Sequence, residues 1–192
     1  MFIKKADTKR LMKQAYKGIG LRLANDGRGL IITGRNWYMQ VLHEYLPKET
    51  KGDIIALTGE LPANGEQWLC DPDGNQQEIF HSYSHVEVYR LAMEAEAAGN
   101  RVDATDIIIT DGEKLYRVCR SEDGKCHLIP ETINQMCSAL NCEDDEDMYG
   151  CYADSDGALY FRSDYMAFCI VPSLTEDLQD RLKEIARLWT EE

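Results

Sequence analysis

DTKRLMKQAYKG, Asp7–Gly18, is the stretch from which the fold class follows. Leu11, Met12, Ala15 and Tyr16 recur at 3.6-residue spacing, which predicts an amphipathic helix. The Asp7 carboxylate can accept free backbone N–H groups of a first turn, so Asp7 is the expected N-cap. Gly18 is the expected stop, in the left-handed conformation that glycine adopts at little steric cost. Beside the apolar face, Lys9, Lys13 and Lys17 form an i, i+4, i+8 stripe with Arg10 adjoining. Such a stripe is either a solvated helix face or a row of cations that tracks a nucleic-acid phosphate backbone.

Outward from this helix, Phe2–Lys5 reads as a short strand before it, and Ile19–Ala24, Leu30–Thr33 and Trp37–Leu42 read as strands after it. Asn25-Asp26-Gly27 is a hairpin turn, because these residue types tolerate positive φ. Pro47 closes the set. Asp53–Thr58, DIIALT, reads as a further strand, and Trp68–Cys70 with Gln77–His81 as hairpin arms. Ser84 and Glu87 form a capping box ahead of a helix to Ala98, stopped by Gly99. Asp106–Thr110 and Leu115–Arg120 pair across Asp111-Gly112. Pro130 suits the first position of a helix to Leu140, where its missing N–H is harmless. Met148–Ala153, Ala158–Phe161 and Tyr165–Val171 are strands. Ser173 and Glu176 suggest a second capping box, for a last helix that buries Leu178, Leu182, Ile185 and Trp189.

The two ends share an order of elements: helix, strand, Asp-Gly turn, strand. Each then has an Arg-x-x-Tyr-Met segment (Arg35–Met39; Arg162–Met166) and a Pro after the next strand (Pro47; Pro172). Aligning them takes an insertion at Glu143–Asp147 and a three-residue gap after the Asp-Gly. The expectation is one α+β domain over 1–192, with half-repeats 1–62 and 106–172, a helical insertion at 84–99 and a C-terminal helix at 174–190. Chance produces short gapped matches too.

The whole chain constrains the function classes. Its 192 residues are enough for a real core. No apolar run approaches the roughly 20 residues of a membrane span, and the N-terminus lacks the apolar core of a secretory signal. The seven cysteines are scattered without a Cys-x-x-Cys pair, which points to buried thiols in a reducing cytoplasm. Net charge is −13, unevenly spread: residues 1–39 hold nine Lys/Arg against Asp7 and Asp26, a net +7, leaving −20 elsewhere. An acidic protein with one basic segment can bind a polyanion through that segment while the rest repels other approaches.

No catalytic motif, cofactor motif or metal site emerges. Asp71–Asn75 and Asp154–Gly157 open like calcium loops. The first has Gln76 and Ser82 where Gly and Glu are needed; the second has Ala158, Arg162 and Tyr165 at ligand positions. His81 and His85 have metal-pair spacing but no third ligand, and Ser84 between them starts a helix. His43 and His127 stand alone in strand contexts. Gly18-Ile19-Gly20 and Gly27-Arg28-Gly29 lack the continuation of a phosphate loop. The acidic run Glu143–Asp147 is a solvated loop. Trp37, Tyr38, Tyr16 and Arg35 form either a base-stacking surface or, as strand aromatics more commonly do, part of a core.

A helix followed by an antiparallel β-meander, twice over, resembles the domain plan of DNA sliding clamps. In that family each domain holds two such half-repeats, basic helices line a hole around DNA, and the remaining surface is acidic. The resemblance implies an α+β fold of antiparallel meanders with packed helices. It also implies DNA, or a DNA-processing protein, as partner through Lys9, Arg10, Lys13 and Lys17, and it allows a homo-oligomer. The chain departs from the plan in three ways. Its second helix has no Lys or Arg, it is shorter than a bacterial clamp, and it carries the extra helix at Ser84–Ala98. Trp37 through Ile54–Pro62 resembles small proteins of bacterial mobile elements, which implies a cytoplasmic accessory role. The leading expectation is therefore a non-catalytic cytoplasmic protein that binds DNA or a DNA-processing partner. The alternative is a protein-interaction or regulatory module that presents an acidic surface and binds no nucleic acid.

Overall fold

The computed structural model describes residues 3–73, 76–78, 87–138, 149–172 and 174–190. Ser84 of the first expected capping box, Ser173 of the second, the pair His81 and His85 and the acidic run Glu143–Asp147 lie outside them. The fold is α+β, with antiparallel sheets and packed helices.

The first helix, α1, spans Lys5–Lys17 and buries Thr8, Leu11, Met12 and Ala15. It starts earlier than the sequence suggests, so Ile3–Lys5 of the expected first strand are not a strand, and Phe2 lies outside the described residues. Ile3 is buried and anchors the entering chain, and Thr8 N–H already bonds to Lys4 O at 2.9 Å. Lys4, not Asp7, is the N-cap; Asp7 sits in the first turn, 3.1 Å from Arg10. Gly18 ends the helix at φ −93°, outside the left-handed region. Its N–H bonds to Gln14 O and Ala15 O, and a Cβ there would lie 3.2 Å from Gln14 O.

Strands β1 (Leu21–Asn25), β2 (Gly29–Thr33) and β3 (Trp37–Leu42) form the expected meander. The next element corrects the reading of DIIALT as a strand: α2 is a helix over Lys48–Thr58. Pro47 supplies an extended entry, and Lys51 N–H bonds to Pro47 O. Thr50 and Ile54, one turn apart, are buried, whereas Ile55 points outward. Packing of this helix beside α1 overrides the local β preference of the Ile pair.

The chain continues through β4 (Gln67–Cys70), β5 (Gln76–Glu78) and α3 (Val88–Ala98), which begins after Glu87 and ends at Gly99 in the left-handed conformation. Then come β6 (Val102–Asp111), β7 (Lys114–Ser121) and β8 (Cys126–Pro130). Pro130 closes β8 instead of opening the helix α4, which spans Glu131–Ser138. Strands β9 (Tyr149–Ala153), β10 (Leu159–Arg162) and β11 (Met166–Ile170) precede α5 (Glu176–Thr190). Thr175 Oγ1 caps α5 by accepting from Leu178 N–H at 3.4 Å.

The larger sheet has the order β5-β4-β1-β2-β3-β11-β10-β9, and the smaller β6-β7-β8. The two meanders join where β3 pairs with β11, with Met39 opposite Phe168. Strand alternation splits the large sheet into two faces. Leu23, Ile32, Met39 and Phe168 belong to the main core with residues of α1, α2 and α4. Ala24, Ile31, Ala167 and Cys169 face Ala92 and Ala95 of α3, small residues that let this helix approach closely. The small sheet adds Cys119 and Ile129 to the main core, while Val118 and Leu128 lie under Leu178 and Leu182 of α5.

The turns within the two meanders share hydrogen bonds. Gly34 N–H bonds to Trp37 O at 3.0 Å, and Ser163 N–H to Met166 O at 2.7 Å. Asp26 Oδ1 accepts from Arg28 N–H and Gly29 N–H at 2.9 and 2.7 Å, as Asp154 Oδ1 accepts from Asp156 N–H and Ala158 N–H at 2.9 Å each. The turn bonds place Trp37 in correspondence with Met166, two residues away from the Arg-x-x-Tyr-Met match.

Candidate nucleic-acid interface

Helix α1 packs its apolar stripe inward, so its 3.6-residue period turns the basic positions outward together. Lys9, Arg10, Lys13 and Lys17, with Ala6 and Gln14, line a shallow exposed groove of about 310 Å³. The structure therefore brings all four expected residues onto one face. Their pairing differs. Lys9 Nζ is held by Asp53 Oδ1 of α2, and Arg10 by Asp7 in its own first turn. Lys13 and Lys17 have no ion-pair partner among the described residues.

The inter-helix pairing is invisible in a sequence reading that makes Asp53–Thr58 a strand. Lys5 Nζ also meets Glu49 Oε2 at 3.2 Å, so Lys5 and Lys9 of α1 face Glu49 and Asp53 of α2, each pair one turn apart. The signal was present as matched i, i+4 spacings, but it becomes readable only once α2 is a helix.

Helix α4 lies on the same side of the sheet and carries no cation. Its Glu131, 7% exposed, accepts two hydrogen bonds from Arg117 at 3.0 Å each. These bonds hold the Glu131 carboxyl below its usual range. The only charge on this helix is thus already matched by Arg117.

The aromatic set does not assemble into a stacking surface. Trp37 is buried in the main core with its ring 6.2 Å from Phe168, and Tyr16 packs against the same core. Tyr38 packs with α3 on the opposite sheet face. His43 Nε2 lies 2.9 Å from Asn25 Oδ1, at the β1–β2 turn. His127 Nε2 lies 3.2 Å from Ser121 Oγ, which donates to Asp123 Oδ1 at 2.5 Å. Ser121 is itself buried, so this trio ties a turn to its strand. Asp71 Oδ1 accepts from Asp73 N–H at 3.0 Å, the geometry of an Asx turn. Among the described residues no group of three or more His, Cys, Asp or Glu is placed to hold a metal, and no helix is long and apolar enough to cross a membrane.

No protein-family model and no curated protein matches the chain. Among solved structures it is similar to one bacterial chain. That structure is the DNA polymerase III beta chain of Streptococcus pneumoniae TIGR4, at 12% identity and a TM-score of 0.34. The match covers 92% of this chain and 64% of the other, so the chain spans less than two thirds of that protein. This is a weak likeness of fold.

Proposed function

We propose that the chain is a non-catalytic cytoplasmic accessory protein that binds the phosphate backbone of DNA through Arg10, Lys13 and Lys17, with Lys9 beside them. The observation that carries the reading is the exposed basic face of α1, with Lys13 and Lys17 free of ion pairs among the described residues, on a chain of net charge −13. Residues four apart on a helix rise about 6 Å, so the lysines present a regular row of cations to a linear polyanion. Each contact releases a condensed counterion, and the acidic remainder repels other approaches. With Trp37 buried and Tyr16 half-buried against the core, the face has no stacking platform for unpaired bases among the described residues. The reading is therefore backbone binding to duplex without sequence preference. The two helix-plus-meander units fit a duplicated half-repeat of clamp-like plan, and a mobile-element accessory role accords with the sequence resemblance.

The test is fluorescence anisotropy of a labelled short duplex with the natural chain and with Lys13→Glu/Lys17→Glu. Neither lysine has an ion-pair partner to lose among the described residues, so the variant should fold. Binding by the natural chain that the variant loses supports the proposal. Absence of binding at low salt rejects it and favours the protein-interaction alternative, for which the acidic remainder is the relevant surface.

A further inference from the structure

The two carboxylates that α2 lays along α1 sit on the basic face, and this placement has a consequence for binding strength. Glu49 and Asp53 are spaced one turn apart, as are Lys5 and Lys9 opposite them. Lys5 Nζ and Glu49 Oε2 are 3.2 Å apart, both side chains more than half exposed; Lys9 is nearly half exposed. The carboxylate oxygens thus occupy the places that phosphate oxygens would take on these two lysines. We infer that Glu49 and Asp53 act as an internal phosphate mimic that restrains polyanion binding by α1, so that Lys5 and Lys9 reach DNA only by exchanging carboxylate for phosphate. The inference rests on the phosphate-binding reading of α1.

Three features support it. The Lys5–Glu49 pair is exposed and therefore weak, so an external polyanion can displace it first, ahead of the Lys9–Asp53 pair, whose carboxylate is 24% exposed. The pairs join two different helices at matched spacing, so the acids stay in place when the lysines leave, and they then repel the incoming backbone. The rest of the groove, Arg10, Lys13 and Lys17, is untouched by α2 acids, which leaves an entry point where DNA binds first. Glu49 and Asp53 are the two acids of α2, whose other charged residues are Lys48 and Lys51, so its negative charge comes from this pair alone.

Glu49→Gln/Asp53→Asn keeps the side-chain shapes and removes both charges. The variant should bind a short DNA duplex roughly two- to thirty-fold more tightly, the range expected for freeing two exposed pairs. Its log K against log salt should be steeper by up to about 1.8, the slope of two added phosphate contacts. Lys5→Gln/Lys9→Gln breaks the same pairs without freeing cations and should show no gain, which separates charge release from loosening of α1 against α2. If the double carboxylate variant fails to fold by circular dichroism, Asp53→Asn alone carries the test, with a gain of smaller size. An unchanged or weaker affinity in the carboxylate variants overturns the inference while the natural chain's binding keeps the α1 reading. An equal gain in Lys5→Gln/Lys9→Gln also overturns it. Failure of every protein to bind duplex at low salt overturns the α1 reading, and the inference with it.

Discussion

Phe168→Ala strikes the seam between the two meanders. Phe168 has 0% exposure, sits opposite Met39 in the β3·β11 pair, and packs its ring against Trp37. The substitution removes a whole aromatic ring from a site bounded on one side by sheet and on the other by helices, where collapse is limited. Truncations of this kind cost about 3–5 kcal/mol, a large share of the roughly 5–15 kcal/mol that holds a domain folded. With a urea slope on the order of 2 kcal/mol per molar, the unfolding midpoint should fall by about 2 M. Urea titration followed by far-UV circular dichroism and by tryptophan fluorescence measures it. The two probes should move together, because the core that Phe168 fills includes residues of both meanders. Val171→Ala, at a 40% exposed neighbour, is the control and should shift stability by less than about 0.5 kcal/mol. A loss below about 1 kcal/mol for Phe168→Ala would refute the placement of this ring at the centre of the core.

Gly52→Ala should stabilise the protein by about 0.5–1 kcal/mol, because Gly52 lies inside α2 and a Cβ there meets nothing within 4 Å; thermal melts decide it, and a destabilisation would contradict the helix. His127 is held below its ordinary value of 6.5, first by burial and then by Lys125, against the opposing pull of Asp123, Asp154 and a hydrogen bond at the Gly157 backbone. Because the fold favours the neutral ring, its contribution is complete above pH 6.5 and is lost as pH falls from there through the lowered folded value. Melting temperature should therefore decline across that window in the natural chain and more shallowly in His127→Gln; parallel profiles would count against the assignment. Asp123 is lowered to about 2, chiefly by its bond from Ser121, so its contribution should persist to lower pH and vanish between its ordinary 3.8 and about 2. Acid titration of Asp123→Asn, which lacks this step, checks it.

The first meander was legible because its signals are local, whereas β8, which the sequence reading does not contain, was not. Leu21–Asn25 and Gly29–Thr33 are short, mostly buried apolar runs on either side of a turn in which Asp26 accepts N–H groups, a pattern read from a few residues. α2 was not legible. It buries only Thr50 and Ile54 strongly, its Ile pair favours strands, and what makes it a helix is packing against α1. The sheet order, above all the β3·β11 join, depends on contacts more than a hundred residues apart and leaves no local mark. The same division holds at the candidate site. Helical spacing put Lys9, Arg10, Lys13 and Lys17 on one face, whereas the acids opposite Lys5 and Lys9 come from α2 and could not be seen before its fold was known. Trp37 could be read as core or as surface from sequence, and its partner Phe168, across the seam, decides for core.

The central claim is that the basic face of α1 engages phosphate. The most direct measurement is the salt dependence of duplex affinity for the natural chain and for Lys13→Glu/Lys17→Glu. Three to four contacts predict a slope of log K against log salt of about −2.7 to −3.6 for the natural chain, and no measurable binding for the variant. A slope near zero, or equal binding by the two proteins, would contradict the account.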